Sequence, residues 1–313
     1  MKISIIGAGH VGATTAKTIA NRNLVSEIAL IDIDDGVARG KALDIAQSAS
    51  IAGFDTRVIG SADYAETAES DIVIVTAGMA RKPGMSRNDL AHCNAKIVTS
   101  AVTAAVARSP DCVIVMVTNP LDVMAHVALS ETGFPKNRVI GMAGLLDTSR
   151  FRYFIARELK VSPREVSALV LGGHGDLMVP CVSQTYVGGT PLRELLPGET
   201  IDELVKRTRD GGAEIVNLLK TGSAYYAPGE SIAEMVEAMV VPNGKVLPCT
   251  AYLEGEYGIR GAYCGVPCVL ERTGLSRIVE LTLSDSDIQA LRLSAAMVTE
   301  QYESLLKTRD LES

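Results

Sequence analysis

The sequence predicts an α/β fold: a doubly wound parallel sheet in the first half, followed by a C-terminal α+β domain. Three observations carry that reading. Met1-Lys2-Ile3-Ser4-Ile5-Ile6 is an apolar run of strand character that leads directly into Gly7-Ala8-Gly9-His10-Val11-Gly12, and a helical pattern opens after it. Short apolar runs then alternate with amphipathic stretches, the βαβα order of a parallel sheet. From about residue 144 short strands and helices mix without that alternation.

In chain order, strands are expected at 3–6, 28–32, 56–59, 72–76 and 112–117, with amphipathic helices at about 12–20, 38–49 and 88–108. The run Cys112-Val113-Ile114-Val115-Met116-Val117 is apolar throughout, as suits a strand covered on both faces. Placed between strand and helix, G-x-G-x-x-G is the Rossmann dinucleotide fingerprint. Its glycines permit the turn, let the backbone approach a pyrophosphate and leave helix N–H groups facing it. The second strand ends in Asp32, about 20 residues past the last glycine, where a carboxylate binds both ribose hydroxyls of NAD and repels the 2′-phosphate of NADP. Gly7, Asp32 and Thr118-Asn119-Pro120 all fall at strand ends, where ligands of such sheets bind. Asn119 is therefore expected to anchor the nicotinamide ribose or the substrate.

The second half is expected to hold a helix from Asp147 to about Leu159, short strands near 166–171 and 181–187, and a helical run over about 200–219. A helix opened by Ser223-Ala224-Tyr225-Tyr226 and running to about Val240 follows, then strands near 246–252 and 266–270 and a terminal helix of about 285–308. With no internal repeat and no flexible linker, the division expected is 1–143 for the NAD-binding domain and 144–313 for the substrate domain, with the site between them.

Composition narrows the function classes. A chain of 313 residues with 47% hydrophobic content supports two modest cores or one large one. No apolar run approaches the ~20 residues that span a bilayer, and the first strand does not read as a signal peptide. A net charge of −7 argues against nucleic acid as a partner. With no tryptophan and 4% aromatic residues, the core must be aliphatic. Cys93, Cys112, Cys181, Cys249, Cys264 and Cys268 form no C-x-x-C, and no histidine completes a zinc set with the last two. They are read as reduced thiols in a cytoplasmic protein without a metal site.

The chemistry concentrates in Leu171-Gly172-Gly173-His174-Gly175-Asp176 and in Gly144-Leu145-Leu146-Asp147-Thr148-Ser149-Arg150. A histidine between glycines lets another molecule approach its ring. Imidazole takes a proton from an alcohol, a carboxylate orients and stabilises the imidazolium, and guanidinium holds a carboxylate by two hydrogen bonds. That set suits 2-hydroxy acid dehydrogenation. The stretch from Thr76 to Arg87 leaves a strand end and carries three cations (Arg81, Lys82 and Arg87), two glycines and a proline, which reads as a lid over an anion.

These segments, with Asn94, Val117-Thr118-Asn119-Pro120-Leu121-Asp122, Met142–Arg152, Gly222–Pro228 and Leu247-Pro248-Cys249, resemble the lactate/malate dehydrogenase superfamily essentially end to end. Within it the chain looks like the malate dehydrogenases of the lactate-dehydrogenase-like type. The resemblance implies NAD as cofactor, held by Gly7, Ala8, Gly9, His10, Val11, Gly12, Asp32, Asn94, Val117, Thr118 and Asn119. It implies His174 as acid/base paired with Asp147, Arg150 on the C1 carboxylate, Arg87 on the reacting carbonyl and Asn119 on both cofactor and substrate. Arg81 would take the distal carboxylate, where lactate enzymes usually carry Gln. A dicarboxylate needs two arginines and pyruvate only one, so the pair Arg150 and Arg81 favours malate and oxaloacetate over lactate and pyruvate. His10 departs from the Asn of many relatives, while His92 and His126 read as ordinary helical residues. A homotetramer, with a homodimer as the alternative, a role in the tricarboxylic acid cycle and no membrane partner are also implied.

Overall fold

A computed structural model describes residues 1–79, 87–241 and 243–312, with backbone alone for Arg87 and 309–312. In the first half, β1 (Lys2–Ile6), β2 (Glu27–Ile31), β3 (Arg57–Ser61), β4 (Ile72–Val75), β5 (Val113–Met116) and β6 (Val139–Gly141) are mutually parallel in the order β3-β2-β1-β4-β5-β6. The helices between them are α1 (His10–Asn21), α2 (Asp35–Gln47), α3 (Ala49–Ala52), α4 (Arg87–Val106) and α5 (Leu121–Thr132). This is the doubly wound order, with the chain reversing direction across the sheet between β1 and β4.

The second half opens with α6 (Gly144–Leu159) and continues through β7 (Val166–Ser167), β8 (Val170–Gly172), β9 (Met178–Pro180), β10 (Tyr186–Val187) and β11 (Thr190–Pro191). Then come α7 (Leu192–Leu195), α8 (Gly198–Leu219), α9 (Tyr226–Val240), β12 (Val246–Glu254), β13 (Arg260–Glu271), β14 (Gly274–Ile278) and α10 (Asp285–Glu312). β12 pairs antiparallel with β6 through Thr250 and Gly141, and β13, β8 and β9 follow, so eleven strands form one sheet. β7, β10 and β11 make a separate small sheet.

Several boundaries differ from the sequence reading. The run 166–171 splits, because Val166–Ser167 pairs with β10 whereas Val170–Gly172 pairs with β9 and β13. The expected strand 181–187 becomes a 3-10 turn at Val182–Gln184 followed by β10, and β9 precedes it. The helix expected from Ser223 begins at Tyr226. β6 and β14 were not anticipated, and of α5 only the helical character around His126 was.

The core is aliphatic on both faces of the sheet. One side gathers Ile3, Ile5, Ile28, Leu30, Ile72 and Ile74 against α1, α2 and α9; the other gathers Ile6, Ile31, Val73, Val75, Ile114 and Met116 against α4 and α5. Side chains alternate between the faces along each strand, as the period of a pleated sheet dictates. Tyr263 and Phe151 are the aromatic exceptions at the centre. All six cysteines are free, and among the described residues no helix is long and apolar enough to cross a membrane.

Candidate active site

The glycine turn is built by close approach. Gly7 sits at φ +106°, donates to Ile31 O at 2.7 Å, and has no room for a Cβ, which would lie 2.7 Å from Ala77 N. A Cβ on Gly12 would fall 1.9 Å from Gly7 O, so only glycine lets α1 pack this tightly on β1. Gly9 has nothing within 4 Å of its Cβ direction. It caps α1 without a side-chain bond, and the first turn of α1 contains no acid. The turn therefore presents open space and uncapped helix N–H groups, which is what a pyrophosphate fits. Ala8 and Gly12 are buried, Val11 is half-buried, and His10 is exposed with its ring stacked on Tyr225 at 4.9 Å.

Asp32 follows β2. Its Oδ2 accepts Ala8 N–H at 2.6 Å and its Oδ1 accepts Asp34 N–H at 3.2 Å, so the carboxylate braces the glycine turn. Lys41 of α2 donates to Ala8 O at 2.6 Å from the other side. At the end of β5, Val117 is half-buried, Thr118 is buried and donates to Ala77 O at 2.7 Å, and Asn119 is exposed. Asn94 is fully buried. Its Oδ1 accepts Met79 N–H at 2.7 Å, and its Nδ2 donates to Asn119 O at 2.6 Å and Met79 O at 3.2 Å. It fastens the segment after β4 to the segment after β5.

The proton-handling group centres on Asp147, in the first turn of α6. Its Oδ2 lies 2.8 Å from His174 Nδ1 and its Oδ1 accepts Arg150 Nη1 at 3.1 Å. Side-chain exposure is 19% at His174, 12% at Arg150 and 2% at Asp147, so the imidazole and the guanidinium reach solvent while the carboxylate between them does not. Burial disfavours the imidazolium, but the charge and hydrogen bond of Asp147 outweigh it, and His174 titrates above the ordinary histidine range. With Nδ1 committed to Asp147, Nε2 is the atom left to exchange a proton. Arg150 Nε is buried without a hydrogen-bond partner among the described residues.

Two glycines shape this group from opposite sides. Gly144 lets α6 start against the sheet, since a Cβ there would sit 3.0 Å from Val170 O. Thr148 then accepts Val170 N–H at 2.9 Å, tying α6 to the strand that leads to His174. On α8, a Cβ on Gly211 would lie 3.2 Å from Arg150 Cδ.

The structure thus brings His174, Asp147 and Arg150 together and sets the glycine turn, Asp32 and the Val117–Asn119 segment at the ends of the parallel strands. Arg81 and most of the expected lid lie outside the described residues, and of Arg87 the backbone alone, at the start of α4, is described. Sequence reading missed Asp122, which is buried and accepts His174 N–H at 2.7 Å and Thr250 Oγ1 at 2.8 Å. It also missed Ser294, Tyr225 and Lys41. Asp122 had one signal, its place in Asn119-Pro120-Leu121-Asp122; the other contacts join residues far apart in the chain.

Comparison with known proteins agrees with this geometry. Residues 1–141 match the family model described as lactate/malate dehydrogenase, NAD binding domain, and residues 145–308 match its alpha/beta C-terminal domain. The malate dehydrogenase of Pelodictyon phaeoclathratiforme is 54% identical over 305 residues, 97% of this chain and 98% of that one. The structure of malate dehydrogenase from Salinibacter ruber superposes with a TM-score of 0.95 at 47% identity, covering 100% of both chains. A lactate dehydrogenase from Cryptosporidium parvum, solved with lactic acid and NAD, superposes with a TM-score of 0.93 at 40% identity over 97% of each chain.

Proposed function

Because the chain belongs to the lactate/malate dehydrogenase family, we propose that it is an NAD-dependent malate dehydrogenase that interconverts (S)-malate and oxaloacetate. The observation that carries the reading is the buried Asp147 carboxylate holding His174 Nδ1 and Arg150 Nη1 at once, which leaves His174 Nε2 and Arg150 Nε uncommitted among the described residues. The similarity to malate dehydrogenases over nearly the full chain supports the dicarboxylate substrate.

Gly7, Ala8, Gly9, His10, Val11 and Gly12 would hold the pyrophosphate of NAD, Asp32 the adenosine ribose, and Val117, Thr118 and Asn119 the nicotinamide ribose. Asn94 would act through Met79 and Asn119 rather than by its own contact, since its side chain is spent on them. When bound, the nicotinamide supplies the hydride acceptor or donor. His174 Nε2 removes the hydroxyl proton during oxidation and returns it to the carbonyl oxygen during reduction. The Asp147 carboxylate orients the ring and stabilises the imidazolium. Arg150 takes the C1 carboxylate in a two-pronged bond, for which its unpartnered Nε is available. Arg87 would polarise the carbonyl and Arg81 pair with the distal carboxylate, on the strength of sequence position. The domain division 1–143 and 144–313, a homotetramer (or homodimer), a cytoplasmic location and a role in the tricarboxylic acid cycle complete the reading.

Steady-state rates with oxaloacetate and pyruvate test it. Pyruvate would leave the Arg81 guanidinium facing a methyl group, and sites built around a polar partner reject analogues lacking it. The expected preference in kcat/KM is ~10³ or more for oxaloacetate. Arg81→Gln should lower kcat/KM for oxaloacetate strongly and raise that for pyruvate modestly. Equal wild-type rates would overturn the dicarboxylate assignment; an unchanged ratio in the variant would remove Arg81 as the specificity residue and leave the assignment to the family likeness alone.

A further inference from the structure

The loop that carries His174 is held from outside the His–Asp pair. Gly172 enters it at φ +82°, packed so closely that a Cβ would lie 2.9 Å from Leu177 O and from Ser294 Oγ. The next two amides are each claimed by a side chain from a different helix. Gly173 N–H donates to Ser294 Oγ of α10 at 2.8 Å, and His174 N–H donates to Asp122 Oδ2 of α5 at 2.7 Å. Ser294 passes its own proton to Leu177 O at 2.7 Å, and Asp122 Oδ1 is fixed by the Thr250 hydroxyl of β12. Asp122 stands three residues beyond Asn119, so one short segment joins the strand end expected to meet the nicotinamide ribose to the backbone of the proton-transfer histidine.

We infer that Asp122 is a positioning residue: its carboxylate, anchored by Thr250, fixes the His174 backbone and contributes negative charge behind the imidazole. The inference rests on the reading of His174 as the acid/base. A neutral hydrogen-bond acceptor would suffice to hold one amide, as Ser294 does at Gly173. A buried carboxylate costs more to place, and two donors on separate oxygens suit its ionised form. Burial pushes the Asp122 carboxyl up, and the His174 N–H and Thr250 hydroxyl offset only part of that rise, so it stays above its usual range. The charged and titratable groups around this point are Asp147 and Arg150 of α6, His174 itself, and the buried Cys264 thiol of β13, which burial holds protonated. Among them Asp122 is the second negative charge favouring the imidazolium.

The test uses the full-length enzyme with histidine labelled for NMR. The four histidines make the His174 signal assignable by its loss in His174→Asn. Asp122→Asn keeps the shape and one acceptor but removes the charge. It should lower the His174 titration midpoint by about one pH unit, because an opposite charge is lost. The fall of oxaloacetate reduction with rising pH should move down by the same amount, and kcat should drop about 10-fold or more from misplacement, with NADH binding within about twofold. Thr250→Val leaves Asp122 with one donor and should shift both readouts in the same direction by less. Ser294→Ala loosens the neighbouring amide without removing charge, so kcat should fall while the midpoint stays. Unchanged midpoint and kcat in both Asp122→Asn and Thr250→Val would overturn the inference, and if Asp122→Asn does not fold, Thr250→Val decides. His174→Asn separates this from the functional reading. If that variant keeps wild-type turnover, the acid/base assignment falls even where Asp122→Asn moves the imidazole titration.

Discussion

The Asp32 carboxylate is committed on one side to Ala8 N–H and Asp34 N–H, so its position relative to the glycine turn is set before any nucleotide arrives. A 2′-phosphate brought to that ribose would meet this carboxylate, while the Lys41 ammonium beside the turn is engaged by Ala8 O. Unit charges ~4 Å apart near a protein surface repel by ~4 kcal/mol, enough for a preference of at least ~100-fold for NAD(H) over NADP(H). Equal kcat/KM with the two cofactors would refute this. Asp32→Asn should narrow the gap chiefly by helping NADP(H), with some loss for NAD(H) because the brace on Ala8 weakens. Asp32 shows how far single residues were legible: type and spacing pointed to the ribose, but not to the second job of holding the turn. Asn94 shows the limit more sharply. Sequence likeness put it along the cofactor, and among the described residues its side-chain hydrogen bonds go to Met79 and Asn119.

At the scale of elements, legibility followed periodicity. The parallel strands of the first half were readable because long apolar runs bounded by glycine or acid have few other meanings. Of α5 only the helical character around His126 was read and its bounds were not, because Leu121 to Ala128 are all buried and a helix buried all round has no polar face to mark its period. β6 is three residues long, too short for any alternation to register. α8 was legible as a helix, and its Gly211-Gly212 pair makes sense only in three dimensions. Glycine inside a helix costs about 1 kcal/mol relative to alanine, and here the space it leaves is taken by the Arg150 side chain. Gly211→Ala should therefore stabilise the protein, raising Tm, while pushing Arg150 Cδ by a few tenths of an ångström and raising KM for oxaloacetate several-fold. At Gly212 an added Cβ would lie 3.8 Å from Arg150 Nη1 and Nη2, ordinary contact distance, so Gly212→Ala should raise Tm with a smaller change in KM. If Gly211→Ala leaves KM at the wild-type value, the glycine pair does not shape the arginine's seat.

Across the whole molecule, what the sequence withheld was mainly which distant segments meet. Asp122 reaches His174 across 52 positions and Ser294 reaches Gly173 across 121, and neither separation leaves a local pattern. His126 is the clearest case. It read as an ordinary helical residue, yet it joins α5 to three elements of the second half. Its Nε2 accepts Tyr263 N–H of β13 at 3.1 Å, and its ring stacks on Tyr302 of α10 at 4.6 Å and meets Tyr252 of β12 edge-on at 5.9 Å. Burial among these rings lowers its pKa from 6.5 to about 4, so the folded protein keeps it neutral where an unfolded chain takes up a proton. Above pH 6.5 both states are neutral and the site adds no pH dependence. As pH falls from 6.5 towards 4 the unfolded state binds the extra proton, and stability drops by an amount on the order of 3 kcal/mol. His126→Gln retains an acceptor for Tyr263 N–H but cannot titrate. Urea unfolding at one fixed protein concentration, from pH 7 to pH 4.5, should show the wild type losing stability faster than the variant, so that the gap between them changes steadily with pH. A gap that stays constant over that range would mean that His126 titrates alike in both states and does not couple the two halves of the fold to pH.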